Sequence, residues 1–147
     1  MVLPPCHLYF QFFVRPMSNQ EKKRNQGYHQ KLDLIWFQRS VDTFLGLPFN
    51  IASYALLLEL IARMIPGTIP GDLKCSLGDT HIYSNHIEAA KLQLSREPFD
   101  LPKLQLSSDI KFDGTINDLL VSITEPDVQI QLDGYFSHSK IQAELSN

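Results

Sequence analysis

Cysteine is scarce in this sequence. Cys6 and Cys75 are the two present among 147 residues, too few for a disulfide framework, and a reducing, cytoplasmic setting is the expectation. A dominant charge is missing as well. The 13 Lys and Arg against 16 Asp and Glu leave a net charge of −3, so nothing drives the chain toward nucleic acid or another polyanion. Long apolar runs are also missing. The greasiest, Ala55 to Ile65, is broken by Glu59 and Arg63 and falls short of the roughly 20 residues that cross a bilayer, so no membrane partner is expected. The first residues are apolar without a basic stretch, and Pro4, Pro5, Cys6 and His7 interrupt them, which is not the pattern of a secretory signal. Repeats and low-complexity tracts are absent. What remains is 44% hydrophobic and 20% charged, which predicts a packed core in a single domain over 1–147.

Along the chain, His7 to Val14 (HLYFQFFV) reads as a buried strand. It begins without the polar fraying segment most domains carry, so a further segment is expected in front of it. Residues 15–31 (RPMSNQEKKRNQGYHQK) are polar and aperiodic, a surface loop insertion between two strands. Its Lys22-Lys23-Arg24 run lacks interleaved aromatics for stacking bases, so it reads as solvated. Leu32 to Gln38 is a second strand with Leu32, Leu34 and Trp36 on one face. Gly46 and Pro48 mark a turn before a helix from about Asn50 to Ile65, in which Ile51, Tyr54, Ala55, Leu58, Ile61, Ala62 and Ile65 keep the i, i+3, i+4 spacing. Leu57, Leu60 and Met64 lie on other faces and predict burial nearly all round. A strand over Asp72–Tyr83, a short helix around His86–Ser95, a strand at Leu104–Leu106, a helix at Ile116–Val121 and an alternating strand at Val128, Ile130 and Leu132 complete the pattern. Regular βαβ alternation is not visible. The expectation is an α+β fold, a mixed or antiparallel sheet packed against a long buried helix and shorter helices.

Residue by residue, the chemistry is ambiguous. A cysteine opening a strand, as Cys6 does, is usually a small core residue. Cys75, His81 and His86 are too loosely spaced for zinc, and Cys6 and His7 are adjacent, so no metal is expected. Gln38, Arg39, Ser40 and Asp42 fit a surface turn with an ion pair, and Asn50 fits a helix N-cap. Neither a Gly-rich phosphate loop nor a Ser/His/Asp signature is present.

Their order changes this reading. LPPCH at Leu3–His7, QRSVDTFLGLPFNIASY at Gln38–Tyr54, GDTHIYSNH at Gly78–His86 and QLSREP at Gln93–Pro98 follow one another along nearly the whole chain. In this the sequence resembles thymidylate synthase, and Tyr135, His138 and Ile141 echo that family's closing pattern.

The resemblance implies a methyltransferase that makes dTMP from dUMP with 5,10-methylenetetrahydrofolate as co-substrate. Cys6 then matches the nucleophile that attacks carbon 6 of uracil. A free thiol has a pKa of about 8.5 and needs a cationic neighbour to react at neutral pH. Arg39 is the implied neighbour and also the implied grip on the substrate phosphate, with Ser40 and the backbone at Val41. Asn50 matches the reader of the uracil edge, where negative charge develops on the oxygen at carbon 4. His81, Ile82 and Tyr83 match the ribose-binding segment. Asp42 is implied for both dUMP and the folate pterin, Gly46 and Phe49 for the folate wall, and Gln38 and His7 for support near the nucleophile.

The same resemblance implies partners and departures. A homodimer, or association with an upstream half not found in this sequence, is expected. That half would carry the family's glutamate and tryptophan beside the folate and the arginines lent to the partner's phosphate site. Residues 15–31 replace a tight hairpin, and the tail AELSN replaces small or apolar residues that close over the folate near Ser146. Two other functions fit the pattern. A cytosine-nucleotide hydroxymethylase of the same fold would favour an acid at position 50, where this chain has Asn50. A non-catalytic dimerisation or binding fragment would have no need of Cys6, Arg39, Asp42, Asn50, His81 and Tyr83.

Overall fold

The computed structural model describes residues 4–146. Leu3 of the LPPCH segment and Asn147 of the tail lie outside the described residues. The chain divides into two compact units, one ending at Tyr83 and one beginning at Ser84.

In the first unit, β1 (His7–Pro16), β2 (Gln30–Asp42) and β3 (Thr68–His81) form a three-stranded sheet in that order. β1 runs antiparallel to β2, with a bulge between His7 and Tyr9, and β2 runs parallel to β3. The sheet is therefore mixed, as expected. The parallel pair needs a crossover, which is the helix α2 (Leu47–Met64). This βαβ unit was not visible in the sequence, because the long β2 and β3 do not carry the continuous apolar runs of a fully covered parallel sheet.

Alternation sets the core. Leu32, Leu34 and Trp36 of β2 are each 1% exposed, and Leu58 and Ala62 of α2 close over Leu32 and Leu34, with Phe12, Leu57, Ile61 and Leu73 around them. Two expectations need correction here. α2 starts at Leu47, with Pro48 in its first turn, so Gly46 rather than Asn50 occupies the N-cap. Its burial is also uneven along its length, greater toward the C-terminal end. Leu58, Leu60 and Ala62 in the last turns are buried, whereas Phe49 is 74% and Ile51 43% exposed. At 18 residues α2 is long and apolar enough to cross a bilayer by length and composition alone, yet it packs on β2 and β3.

β1 is likewise not the buried strand its composition predicts. It is the sheet's edge, and Leu8, Phe10, Phe13 and Val14 are exposed. The polar insertion is shorter and more ordered than expected. Arg15 and Pro16 extend β1, Gln30 and Lys31 open β2, and between them lies α1 (Asn19–Arg24). Ser18 caps α1 by accepting from the Glu21 backbone N–H, and the Glu21 carboxylate accepts from the Ser18 N–H, a complete capping box. Buried Asp33 accepts from Arg15 Nε at 2.9 Å and from the Asp72 N–H at 2.7 Å, which ties the insertion to β2 and β3.

The second unit holds a 3-10 turn over Ser84–His86, α3 (Ile87–Leu94), an antiparallel pair of β4 (Lys103–Leu106) and β5 (Ile130–Asp133), and α4 (Ile116–Ser122) between them. Thr115 and Asp118 form a second capping box at α4. His86 is fully buried, and its Nε2 bonds the Glu144 carbonyl at 2.7 Å.

Candidate active site

The bulge between His7 and Tyr9 breaks the β1–β2 ladder where Cys6 enters it. Cys6 still reaches β2, because its carbonyl accepts from the Arg39 N–H at 2.9 Å. The Arg39 side chain turns back over the same loop. Its Nε donates to Pro5 O at 3.1 Å, and its Nη2 donates to Pro4 O at 2.6 Å and to Cys6 Sγ at 3.7 Å. A fixed cation thus sits beside the sulfur, the neighbourhood in which thiols become nucleophiles. Three of the guanidinium's donors are engaged, and among the described residues the two on Nη1 have no acceptor.

Gly78 makes this approach of β3 possible. A Cβ there would lie 2.6 Å from the Arg39 carbonyl oxygen, closer than any carbon can sit, so the GDTH segment needs glycine at its first position. Opposite the last turn of β2, Ser40 pairs with Asp79, Val41 with Thr80 and Asp42 with His81. Val41 is fully buried, which leaves only its backbone for a ligand. The Ser40 carbonyl accepts from Gln38 Nε2 at 3.1 Å. Asp79 Oδ2 lies 3.4 Å from His81 Nδ1, an ion pair when the ring is protonated and no hydrogen bond otherwise. The His81 and Tyr83 rings meet edge to face at 5.0 Å, and Ile82 between them is exposed.

Asn50 lies one turn inside α2, its Oδ1 accepting from Gln38 Nε2 at 3.1 Å. It is therefore no cap, and it faces the strand that carries Arg39. Asp42 Oδ1 accepts from the N–H groups of Phe44 and Leu45 at 3.0 and 3.1 Å, and Oδ2 has no donor among the described residues. A Cβ at Gly46 would sit 3.1 Å from the Asp42 carbonyl oxygen and 3.9 Å from Asn50 Oδ1, so the turn into α2 packs closely at this position, and Phe49 beyond it is exposed.

Every residue expected in the site up to Tyr83 belongs to the first unit. Two neighbours were missed. Tyr54 shares a 3.0 Å hydrogen bond with His7 Nδ1, and it stacks on buried Trp36 at 4.7 Å and 15°. Burial pushes the Tyr54 phenol up, so it stays protonated as a hydrogen-bonding partner for the imidazole. Aromatics at helix and strand spacing read as core. The signal was the interval between Asn50 and Tyr54, one helical turn on one face. Among the described residues no three His, Cys, Asp or Glu side chains converge as a metal site.

The sequence pattern of one family, thymidylate synthase, matches residues 1–147. The chain belongs to the thymidylate synthase family. It is 44% identical over 149 residues to the thymidylate synthase of Enterobacteria phage T4, an alignment that covers 99% of this chain and 47% of that protein. The crystal structure of the T4 phage enzyme superimposes with a TM-score of 0.75 over 99% of this chain and 47% of that one. The chain thus spans about half the length of the relative it matches, with the α+β thymidylate synthase fold over that span.

Proposed function

We propose that this chain carries the nucleophile and the pyrimidine-nucleotide site of an enzyme that methylates dUMP to dTMP. The observation that carries the reading is the Arg39 guanidinium, held by the loop of residues 4–6, with Nη2 on Cys6 Sγ. A guanidinium so placed can serve both a sulfur nucleophile and a substrate phosphate.

Each residue has a step. Arg39, with the Ser40 hydroxyl and the backbone at Val41, binds the phosphate and sets the nucleotide's register. Cys6 Sγ adds to carbon 6 of the uracil ring. That addition pushes charge onto the oxygen at carbon 4, where the Asn50 amide donates a hydrogen bond that strengthens as charge grows. His7, oriented by Tyr54, stands beside the nucleophile for proton movement. His81 and Tyr83 hold the ribose. When bound, 5,10-methylenetetrahydrofolate supplies the carbon unit and the hydride that reduces it. The exposed Phe49 ring and the Asp42 carboxylate, whose Oδ2 has no donor among the described residues, fit a flat heterocycle with N–H donors.

5-Fluoro-dUMP with the reduced folate should leave a covalent adduct on Cys6, read by mass spectrometry of the enzyme that contains this chain. An adduct that persists in Cys6→Ala would sink the assignment. Base choice separates this reading from a cytosine hydroxymethylase. Asn50→Asp should lower dUMP turnover and relatively favour dCMP, because a carboxylate accepts from an exocyclic amine and repels a developing oxyanion. An unchanged preference would remove Asn50 from the site.

A further inference from the structure

Behind Asn50 lies a chain of contacts in which two side-chain amides are oriented by groups that cannot be turned around. The Trp36 indole N–H only donates, and it donates to Gln38 Oε1 at 3.4 Å. The Ser40 carbonyl only accepts, and it accepts from Gln38 Nε2 at 3.1 Å. Both fix the same sense of the Gln38 amide. With Nε2 so placed, the Asn50 atom 3.1 Å from it must be the acceptor Oδ1, and Nδ2 is left as the donor of that amide. Trp36 is 1% exposed, so water does not compete for its N–H, and the Tyr54 ring stacked at 4.7 Å holds the indole plane. Flipping Asn50 would set two amide N–H groups against each other. Flipping Gln38 to relieve that would set N–H against the indole N–H and oxygen against the Ser40 carbonyl.

We propose that Trp36 is a positioning residue that, through Gln38, holds the Asn50 amide in this sense, with Nδ2 as its donor, and so makes the site prefer a pyrimidine with an oxygen at carbon 4 over one with an amine. This rests on the reading of the site as a uracil-nucleotide site. Trp36→Phe keeps the ring stack and removes the donor.

The test uses the protein that contains this chain, ligand-free for NMR and titrated with dUMP and dCMP for affinity. Trp36→Phe should speed exchange of the Gln38 and Asn50 side-chain amide protons about tenfold, with β2 backbone amides unchanged, and should lower the dUMP/dCMP affinity ratio about tenfold. Unchanged side-chain exchange, or faster exchange with an unchanged ratio, would overturn the positioning role. If the variant does not fold, the wild type decides. A strong NOE between the indole proton and the Gln38 amide protons would mean the opposite orientation and overturn the proposal, whereas NOEs from those amide protons to Asn50 and not to the indole support it. Wild-type protein that binds neither nucleotide overturns the uracil-site reading, and the exchange and NOE results still judge the orientation.

Discussion

Around Arg39 the demands on single residues are steep, because one guanidinium holds three backbone or sulfur acceptors while β3 presses against its carbonyl. Cys6, Arg39, Asp42, Asn50 and His81 stand out in the sequence as candidates because their motifs are long and ordered along the chain. Gly78 was legible as part of GDTH, but its reason appears only with the strands in register. The Trp36–Gln38–Asn50 and Tyr54–His7 contacts were not legible, since hydrogen bonds between core aromatics and polar neighbours leave no period in a sequence. Gly78→Ala should destabilise the chain by about 1–3 kcal/mol, the usual range for overpacking, and weaken dUMP binding by shifting Arg39. Urea unfolding and nucleotide titration measure the two effects. A variant as stable as wild type with the same affinity would mean that β3 yields without moving Arg39.

Elements were foreseen where periodicity was strong and misjudged where burial depends on what covers them. α2 and β1 have core composition, yet the first turns of α2 and most of β1 are exposed, because apolar pattern reports a wish for cover and not the covering partner. α1 was missed for the opposite reason. It has no apolar face, and only the Ser18-x-x-Glu21 spacing announces it. That cap carries a pH signature. The Lys31 ammonium, 2.8 Å away, and then the Ser18 N–H and hydroxyl pull the Glu21 carboxyl from 4.5 down to about 2. A depressed acid stabilises the folded state above its unfolded value, and that contribution disappears as pH falls from 4.5 through about 2. The Ser18 backbone amide signal should therefore titrate near pH 2 and lose that transition in Glu21→Gln. A transition near 4.5 in the wild type would show that the cap is not closed in solution.

For the molecule as a whole, the sheet of the first unit has helical cover on one face. Phe12, Leu32, Leu34 and Trp36 point toward α2 and its Tyr54, so the residues between them point the other way. On that second face Tyr9 pairs with Phe37 across the strands, their rings stacked at 4.3 Å, and Ile35 and Phe13 continue the apolar surface along β2 and β1. Tyr9 is 55% and Phe13 61% exposed. Three aromatic rings bury about 150–250 Å² each when covered, enough for the centre of an interface of roughly 800 Å² per partner. A face of this kind on a sheet is suited to a second copy, which brings the same rings by two-fold symmetry. We therefore expect a homodimer through this face. Sedimentation should give the mass of two chains at micromolar concentration, and Phe13→Asp should give one chain while keeping the far-ultraviolet circular dichroism of the sheet and α2. A wild type that stays monomeric with its β1 amides protected from exchange, or a dimer that Phe13→Asp leaves intact, would place the partner surface elsewhere.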